Sequence, residues 1–254
     1  MTPSPGGPTV GQLAAALLDL VVPQECAGCG HAGVVWCSAC RSATTGTLRS
    51  LAVGIPGAAA AEHAGPLGRA VVEYKDAGQR RLAGPLAWAL ADAVRGALAA
   101  PGPAHCVPGA RAVPVWLVPV PSRPEARRRR GTDHIAVLAA RAARELRRSG
   151  WVAHRCRLLH HVATSRDQVG LGREQRLSNL AGTMAALPPP AGILVVVDDV
   201  TTTGATLKEA TRALRVASRG SMTGPGADKP WPILAATITV ATRVRGHASG
   251  PVEH

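Results

Sequence analysis

Apolar residues fall into distinct kinds of run along this chain, and each kind predicts a different element. Ile135, Leu138, Ala142 and Leu146 recur at spacings of three and four between Thr132 and Gly150. That period predicts an amphipathic helix with Thr132 as its cap and Gly150 as its stop. The Ala/Leu/Trp pattern from Leu82 to Leu98 predicts a second helix, ended by the Pro/Gly-rich run Pro101 to Gly109. Ile193 to Val197 is different: five consecutive branched aliphatics after three prolines, the pattern of a parallel strand buried on both faces. Val113 to Val120 also reads as a buried strand, with Pro114 at its entry and Pro119 and Pro121 at its exit, because proline cannot donate to a central ladder. Strands near Val152 to Leu159 and Ile233 to Val240 and a helix from Thr206 to Val216 complete an alternation that predicts a doubly wound, mostly parallel α/β sheet.

Other segments lack a clean period. Leu13, Leu17, Leu18 and Val21 suggest a short helix packing onto the segment after it, and Gly54 to Gly68 looks like a linker or an irregular strand-bearing hood. The stretch from His160 to Gly182 is too long and charged for a simple turn, and Gly220 to Pro230 reads as a second loop. A boundary near residue 48 then divides the chain into a small module at 1–47, a main domain at 48–245 and a polar tail at 246–254.

Composition narrows the function classes. At 254 residues and 46% hydrophobic, the chain can bury a full core. With five Trp, one Tyr and no Phe, that core is aliphatic, and platforms for stacking nucleic-acid bases are scarce. The apolar stretch Val10 to Val22 contains Gln12 and Asp19 and is too short to span a bilayer. No positive residue precedes it and no small-residue cleavage site comes after it, so the expectation is a cytoplasmic protein. A net charge of +13 suits an anionic partner, and part of it is local: Arg123 and Arg127 to Arg130 fall within eight positions.

Two motifs carry chemistry. Cys26-x2-Cys29 and Cys37-x2-Cys40 are knuckles that can each offer two thiolates to one tetrahedral ion, which predicts a structural Zn²⁺ site, with Gly28 and Gly30 easing the turn. His31 could replace one cysteine, and unligated or disulfide-forming thiols are the alternative. Cys106 and Cys156 lack partners and read as packing residues. The second motif continues from the buried strand: Asp198-Asp199-Val200-Thr201-Thr202-Thr203-Gly204-Ala205-Thr206. Ligands of open parallel sheets sit beyond the carboxyl ends of strands, and a Gly/Thr loop opening a helix makes a phosphate cradle. Two carboxylates would repel a bare phosphate, so they need another task. Accepting hydrogen bonds from a vicinal diol such as ribose O2 and O3 supplies it. A tight strand-to-helix turn capped by Asp and Thr is the bland alternative.

Val195 to Thr206 resembles the motif with which type I phosphoribosyltransferases bind phosphoribosyl pyrophosphate (PRPP). The paired cysteines, Val118-Pro119-Val120-Pro121 leading to Arg130-Gly131, and the Gln168 to Asn179 loop further resemble the ComF family of competence-associated, phosphoribosyltransferase-like proteins. That family often has Arg-Gly-Phe-Asn-Gln where this chain has Arg130-Gly131-Thr132-Asp133-His134, and Tyr74-Lys75 resembles its Lys-Tyr element. The resemblance implies a type I phosphoribosyltransferase fold with a zinc-ribbon-like module, and PRPP bound by Asp198 to Thr206. It implies a pyrophosphate loop with Ser122, Arg123 and Arg130, the arginines otherwise forming a solvated or nucleic-acid-facing patch. A flexible loop would carry Arg166, Gln168, Arg173 and Arg176 over the substrate. The implied reaction transfers a phosphoribosyl group to an unidentified acceptor, with Mg²⁺ carried on PRPP and pyrophosphate released. No catalytic base stands out among the nine histidines. The competing reading is a non-catalytic PRPP sensor or DNA-uptake accessory that binds single-stranded DNA or competence proteins, and a third is a scaffold whose cysteine module recruits a partner.

Overall fold

A computed structural model describes residues 24–51, 53–100, 111–122, 131–162, 182–220 and 231–241. Its centre is a six-stranded sheet made of β1 (Arg49–Ser50), β2 (Gly57–Glu62), β3 (Val115–Pro119), β4 (Ala153–Arg155), β7 (Ile193–Thr201) and β8 (Ile233–Val240). These strands lie in the order β1-β2-β8-β7-β3-β4. Every neighbouring pair is parallel except β1 with β2, at one edge. A separate antiparallel hairpin joins β5 (Leu159–His161) to β6 (Met184–Ala186). The helices are α1 (Ser38–Thr44), α2 (Pro66–Lys75), α3 (Ala83–Ala99), α4 (His134–Arg148) and α5 (Ala205–Gly220), with a 3₁₀ turn at Arg80–Leu82.

The continuous apolar runs explain why β7 and β3 lie at the centre. Along β7 the alternate residues Ile193, Val195 and Val197 enter a core shared with α2, α3 and α4, while Leu194 and Val196 enter a core on the other face with α5. A strand covered on both faces needs no polar positions, and this one has none until Asp198. β2 belongs to the same sheet. The segment expected to be a linker or an irregular strand-bearing hood does bear a strand, and a regular one: β2 is buried along Ala58 to Ala61, paired in parallel with β8, and leads into α2. Its run of alanines carries no amphipathic signal, yet side chains this small let α3 pack directly on the sheet.

Other boundaries differ for local reasons. The cap of α4 is Asp133, whose carboxylate accepts from the N–H of Ala136 at 3.3 Å, so Thr132 lies one residue outside the helix. Gly150 does end this helix, with φ at 82°. The expected strand near 152–159 is two short ones, β4 and β5, separated at Cys156 to Leu158. Among the described residues no helix is long and apolar enough to cross a membrane. The expected helix near residues 13–21, Cys106 and the tail at 246–254 lie outside the described residues.

The β5–β6 hairpin is pinned to α5 by one acid. Glu209, 3% exposed, accepts from the N–H of Met184 at 3.0 Å and from Arg212 Nε and Nη2 at 2.7 and 2.8 Å. Arg212 also donates to the Met184 carbonyl at 2.9 Å. Burial works against the Glu209 charge, but the Arg212 hydrogen bonds and the Met184 N–H outweigh it and hold the carboxyl below its ordinary range. With the folded pKa depressed, the stabilisation is present at neutral pH and is lost as pH falls through the folded value. Glu209→Gln should cost about 1–3 kcal/mol at pH 7 in urea unfolding and show a shallower loss of stability in acid than the unsubstituted protein.

Candidate functional site

The acid pair stands at the carboxyl edge of the central strand, and the ladder holds it there. β7 runs past the apolar stretch through both aspartates to Thr201, pairing Asp198 with Thr237 and Thr201 with Val240 on β8. Asp198 Oδ1 accepts from the backbone N–H of Asp199 at 2.9 Å. Asp199 Oδ2 lies 2.8 Å from Lys75 Nζ, contributed by the last residue of α2. Thr239 donates its hydroxyl to the Asp199 carbonyl at 3.4 Å and lies 2.9 Å from His63 Nδ1. The edge is therefore built by β7, by β8 and by the turn and helix that come after β2.

Beyond Thr201 the chain turns at once. Gly204 has φ at 74°, a conformation side-chain-bearing residues rarely adopt, and a Cβ there would drive into Val53 Cγ1. The Lys208 N–H donates to the Gly204 carbonyl at 2.9 Å, and Thr203 Oγ1 accepts from the Ala205 N–H at 3.4 Å. Thr202 and Thr203 are exposed and Thr201 is buried. The Ala205 N–H is thus turned to the Thr203 hydroxyl, and α5 starts beside the exposed Thr202 and Thr203 with the positive end of its dipole at this edge. This arrangement suits an anion held beside hydroxyl groups. Val200 is half-buried and packs on the helical core.

Asp198 carries the electrostatic strain of the edge. Burial, and after it the neighbouring Asp199 charge, pushes its carboxyl up to about 8, against the pull of the Asp199 N–H and of Lys75. Lys75 therefore neutralises one member of the pair while the proton on the other removes the remaining repulsion.

The four cysteines form a separate cluster. Their sulfurs all lie within 4.8 Å of one another, with Cys29 and Cys37 Sγ 3.6 Å apart. Cys26, Cys37 and Cys40 are buried and Cys29 is exposed. These cysteines and Cys156 are free thiols, and His31 is outside the cluster. Cys37 caps α1, its sulfur accepting from the Cys40 N–H, while the Cys37 N–H donates to Cys26 Sγ, both at 3.3 Å. Burial raises the Cys26 pKa, but N–H donation from Cys37, Gly28 and Cys29 overcomes it and brings the thiol to about 6. Gly30 takes the turn with φ at 76°; Gly28 serves differently, since a Cβ there would lie 2.5 Å from Cys40 Sγ. Arg69 of α2 donates to the Gly28 carbonyl and so ties the cluster to the main body. Such a set can hold a metal ion. Cys156 packs against the core beneath α5.

Of the remaining expected site residues, Ser122 lies at the exit of β3 and donates to Asp133 Oδ1 at 3.3 Å. Arg123 and Arg130, and Arg166, Gln168, Arg173 and Arg176, lie outside the described residues. The flanks of the latter segment are placed: His161 Nε2 is 3.0 Å from the Pro121 carbonyl, so the hairpin below it touches the start of the loop after β3. Sequence reasoning missed Thr239 and His63, whose part depends on strand register. Lys75 was visible only as half of a Tyr-Lys pair. Neither a scan against protein-family models nor a search of curated proteins returns a match to this chain.

The raised pKa of Asp198 makes stability depend on pH in a stated direction. The folded protein keeps a proton that the unfolded chain loses near pH 4, so this contribution is full below that value and shrinks as pH rises toward about 8. Urea midpoints of the unsubstituted protein should fall between pH 5 and 8, whereas Asp198→Asn should flatten that slope. An unchanged slope in Asp198→Asn would show that another group carries it.

Proposed function

We propose that this chain binds PRPP at the edge formed by Asp198, Asp199 and the Thr201 to Thr206 loop, and acts as a phosphoribosyltransferase of the ComF type. One observation carries the reading: an acid pair ends the central strand of a parallel sheet, and the next residues turn through Gly204 into the start of a helix. In this reading the 5′-phosphate sits on the N–H groups at the start of α5, the Ala205 N–H turning to it from Thr203 Oγ1, and on the hydroxyls of Thr202 and Thr203. The carboxylates of Asp198 and Asp199 accept from ribose O2 and O3, which requires Asp198 to give up its proton and Asp199 to share or release Lys75.

Mg²⁺ would arrive on the pyrophosphate and ribose oxygens of PRPP, beside this carboxylate pair, and would supply neutralisation of the leaving group. The C1–O bond to pyrophosphate breaks and a bond from C1 to the acceptor forms, with the acceptor's proton lost. The chain's own contribution is positioning and charge balance around the ribose. Ser122, Arg123 and Arg130 are proposed for the pyrophosphate end, and the segment with Arg166, Gln168, Arg173 and Arg176 for excluding water. The net charge of +13 favours a second reading, a PRPP-binding accessory that meets nucleic acid without turnover. Salt-dependent DNA affinity without product would select it.

The cysteine cluster is proposed to hold a structural Zn²⁺. Four thiolates around zinc place their sulfurs roughly 3.8 Å apart, which the 3.6 Å spacing of Cys29 and Cys37 fits. Cys26, Cys29, Cys37 and Cys40 would be the ligands. The ion would bind a segment whose own buried core is little more than three cysteines and Trp36.

Calorimetric titration of PRPP with Mg²⁺ tests the first claim. Asp198→Asn/Asp199→Asn should weaken binding by at least about 1.5 kcal/mol, and no binding to the folded, unsubstituted protein would refute it. Metal analysis tests the second. The purified chain should carry about one zinc ion, Cys29→Ser/Cys37→Ser should carry none, and chelation should lower the melting temperature of the former only.

A further inference from the structure

A second feature lies beside the acid pair, on the helical side of the sheet. An open groove of about 630 Å³ runs between the end of α2, the 3₁₀ turn and the start of α4. Each element brings a cation to it. Lys75 closes α2, and the chain reverses at Gly78, with φ at 70°, to present Arg80. His134, Val137 and Arg141 recur at spacings of three and four on α4 and so line the opposite wall. The wall between is Tyr74, 5% exposed, whose ring centroid lies 5.1 Å from that of His134. Burial raises the Tyr74 pKa and the charges of Arg141 and Arg80 pull it back, which places both guanidiniums in the field of one phenol.

The charge of the groove is unbalanced. Among the described residues, Lys75, Arg80 and Arg141 face a single lining acid, Asp76. Lys75 is neutralised by Asp199 at 2.8 Å. Among the described residues, neither Arg80 nor Arg141 has a carboxylate within 4.0 Å. Two arginines converging on one concavity from different elements repel each other, and an anion between them removes that repulsion.

We propose that this groove is a binding site for the anionic group, phosphate or carboxylate, of a small molecule, held by Arg80 and Arg141 and linked to Asp199 through Lys75. It is separate from the Thr201 to Thr206 loop. Two sources supply such a group: the pyrophosphate end of PRPP, or the acid group of a second molecule such as the acceptor. Only this assignment of source rests on the proposed function. Anion binding in the groove stands without it.

The test uses inorganic pyrophosphate as the probe, in calorimetry on the full chain at low ionic strength. Arg80→Gln/Arg141→Gln should weaken its binding at least about tenfold, while Arg144→Gln/Arg148→Gln, which removes the same charge further along α4, should change it little. Both arginine pairs are exposed, so equal urea midpoints verify that the fold is kept. Equal pyrophosphate affinity in the groove variant, or equal loss in the two variants, would overturn the proposal. If PRPP affinity falls with that of pyrophosphate, the groove takes the pyrophosphate end of PRPP. If PRPP affinity is retained, the groove takes a separate molecule. Retained pyrophosphate binding in Asp198→Asn/Asp199→Asn, with PRPP binding absent from every variant, would leave the groove standing while the proposed function fails.

Discussion

Two carboxylates on consecutive residues at the end of a buried strand repel each other, and the rest of the site is organised around that repulsion. The backbone places them there because β7 is apolar up to Val197 and stays in register with β8 through Thr201. Three things make the placement tolerable: a proton on Asp198, a hydrogen bond from the Asp199 N–H to Asp198, and the Lys75 ammonium on Asp199. In the proposed function a ligand's hydroxyl donors would take the place of these contacts.

That arrangement depends on an unusually small-residue core. Ala58, Ala60 and Ala61 in β2 and Ala236 in β8 share the core of α3 and let it lie close to the sheet, on the same face as α2, whose final residue reaches Asp199. The cysteine cluster braces the same helix from the other side, through Arg69 and the Gly28 carbonyl. On the opposite face, Glu209 and Arg212 fix the β5–β6 hairpin to α5, which begins just after Gly204. The acid pair, the groove of Arg80 and Arg141 and the threonine loop are held by separate anchors that converge on one edge of the sheet.

Much of the architecture was legible because it rests on strong local signals. The period of α4, the aliphatic run of β7 and the strand–acid–threonine–glycine order each specify an element without reference to the rest of the chain. β2 was legible only in part, as a strand-bearing hood or a linker: an alanine run shows no alternation, and its place in the central sheet comes from its pairing with β8. The cap of α4 slipped from Thr132 to Asp133 because both residue types cap well and only the Ala136 N–H decides between them. For the site, the cysteine knuckles gave the cluster directly, since their spacing is itself the geometry. Lys75, Thr239 and His63 became part of the site only through tertiary placement, and no spacing rule ties them to Asp199.

Amide hydrogen exchange with and without PRPP and Mg²⁺ reads the edge at Asp198 to Thr206 residue by residue, without substitution. Slower exchange at Val200 to Thr206 and in the first turn of α5, with the cysteine cluster unchanged, is the result expected of PRPP bound at this edge. Unchanged exchange across that segment at saturating ligand, or protection appearing elsewhere in the sheet instead, would contradict it.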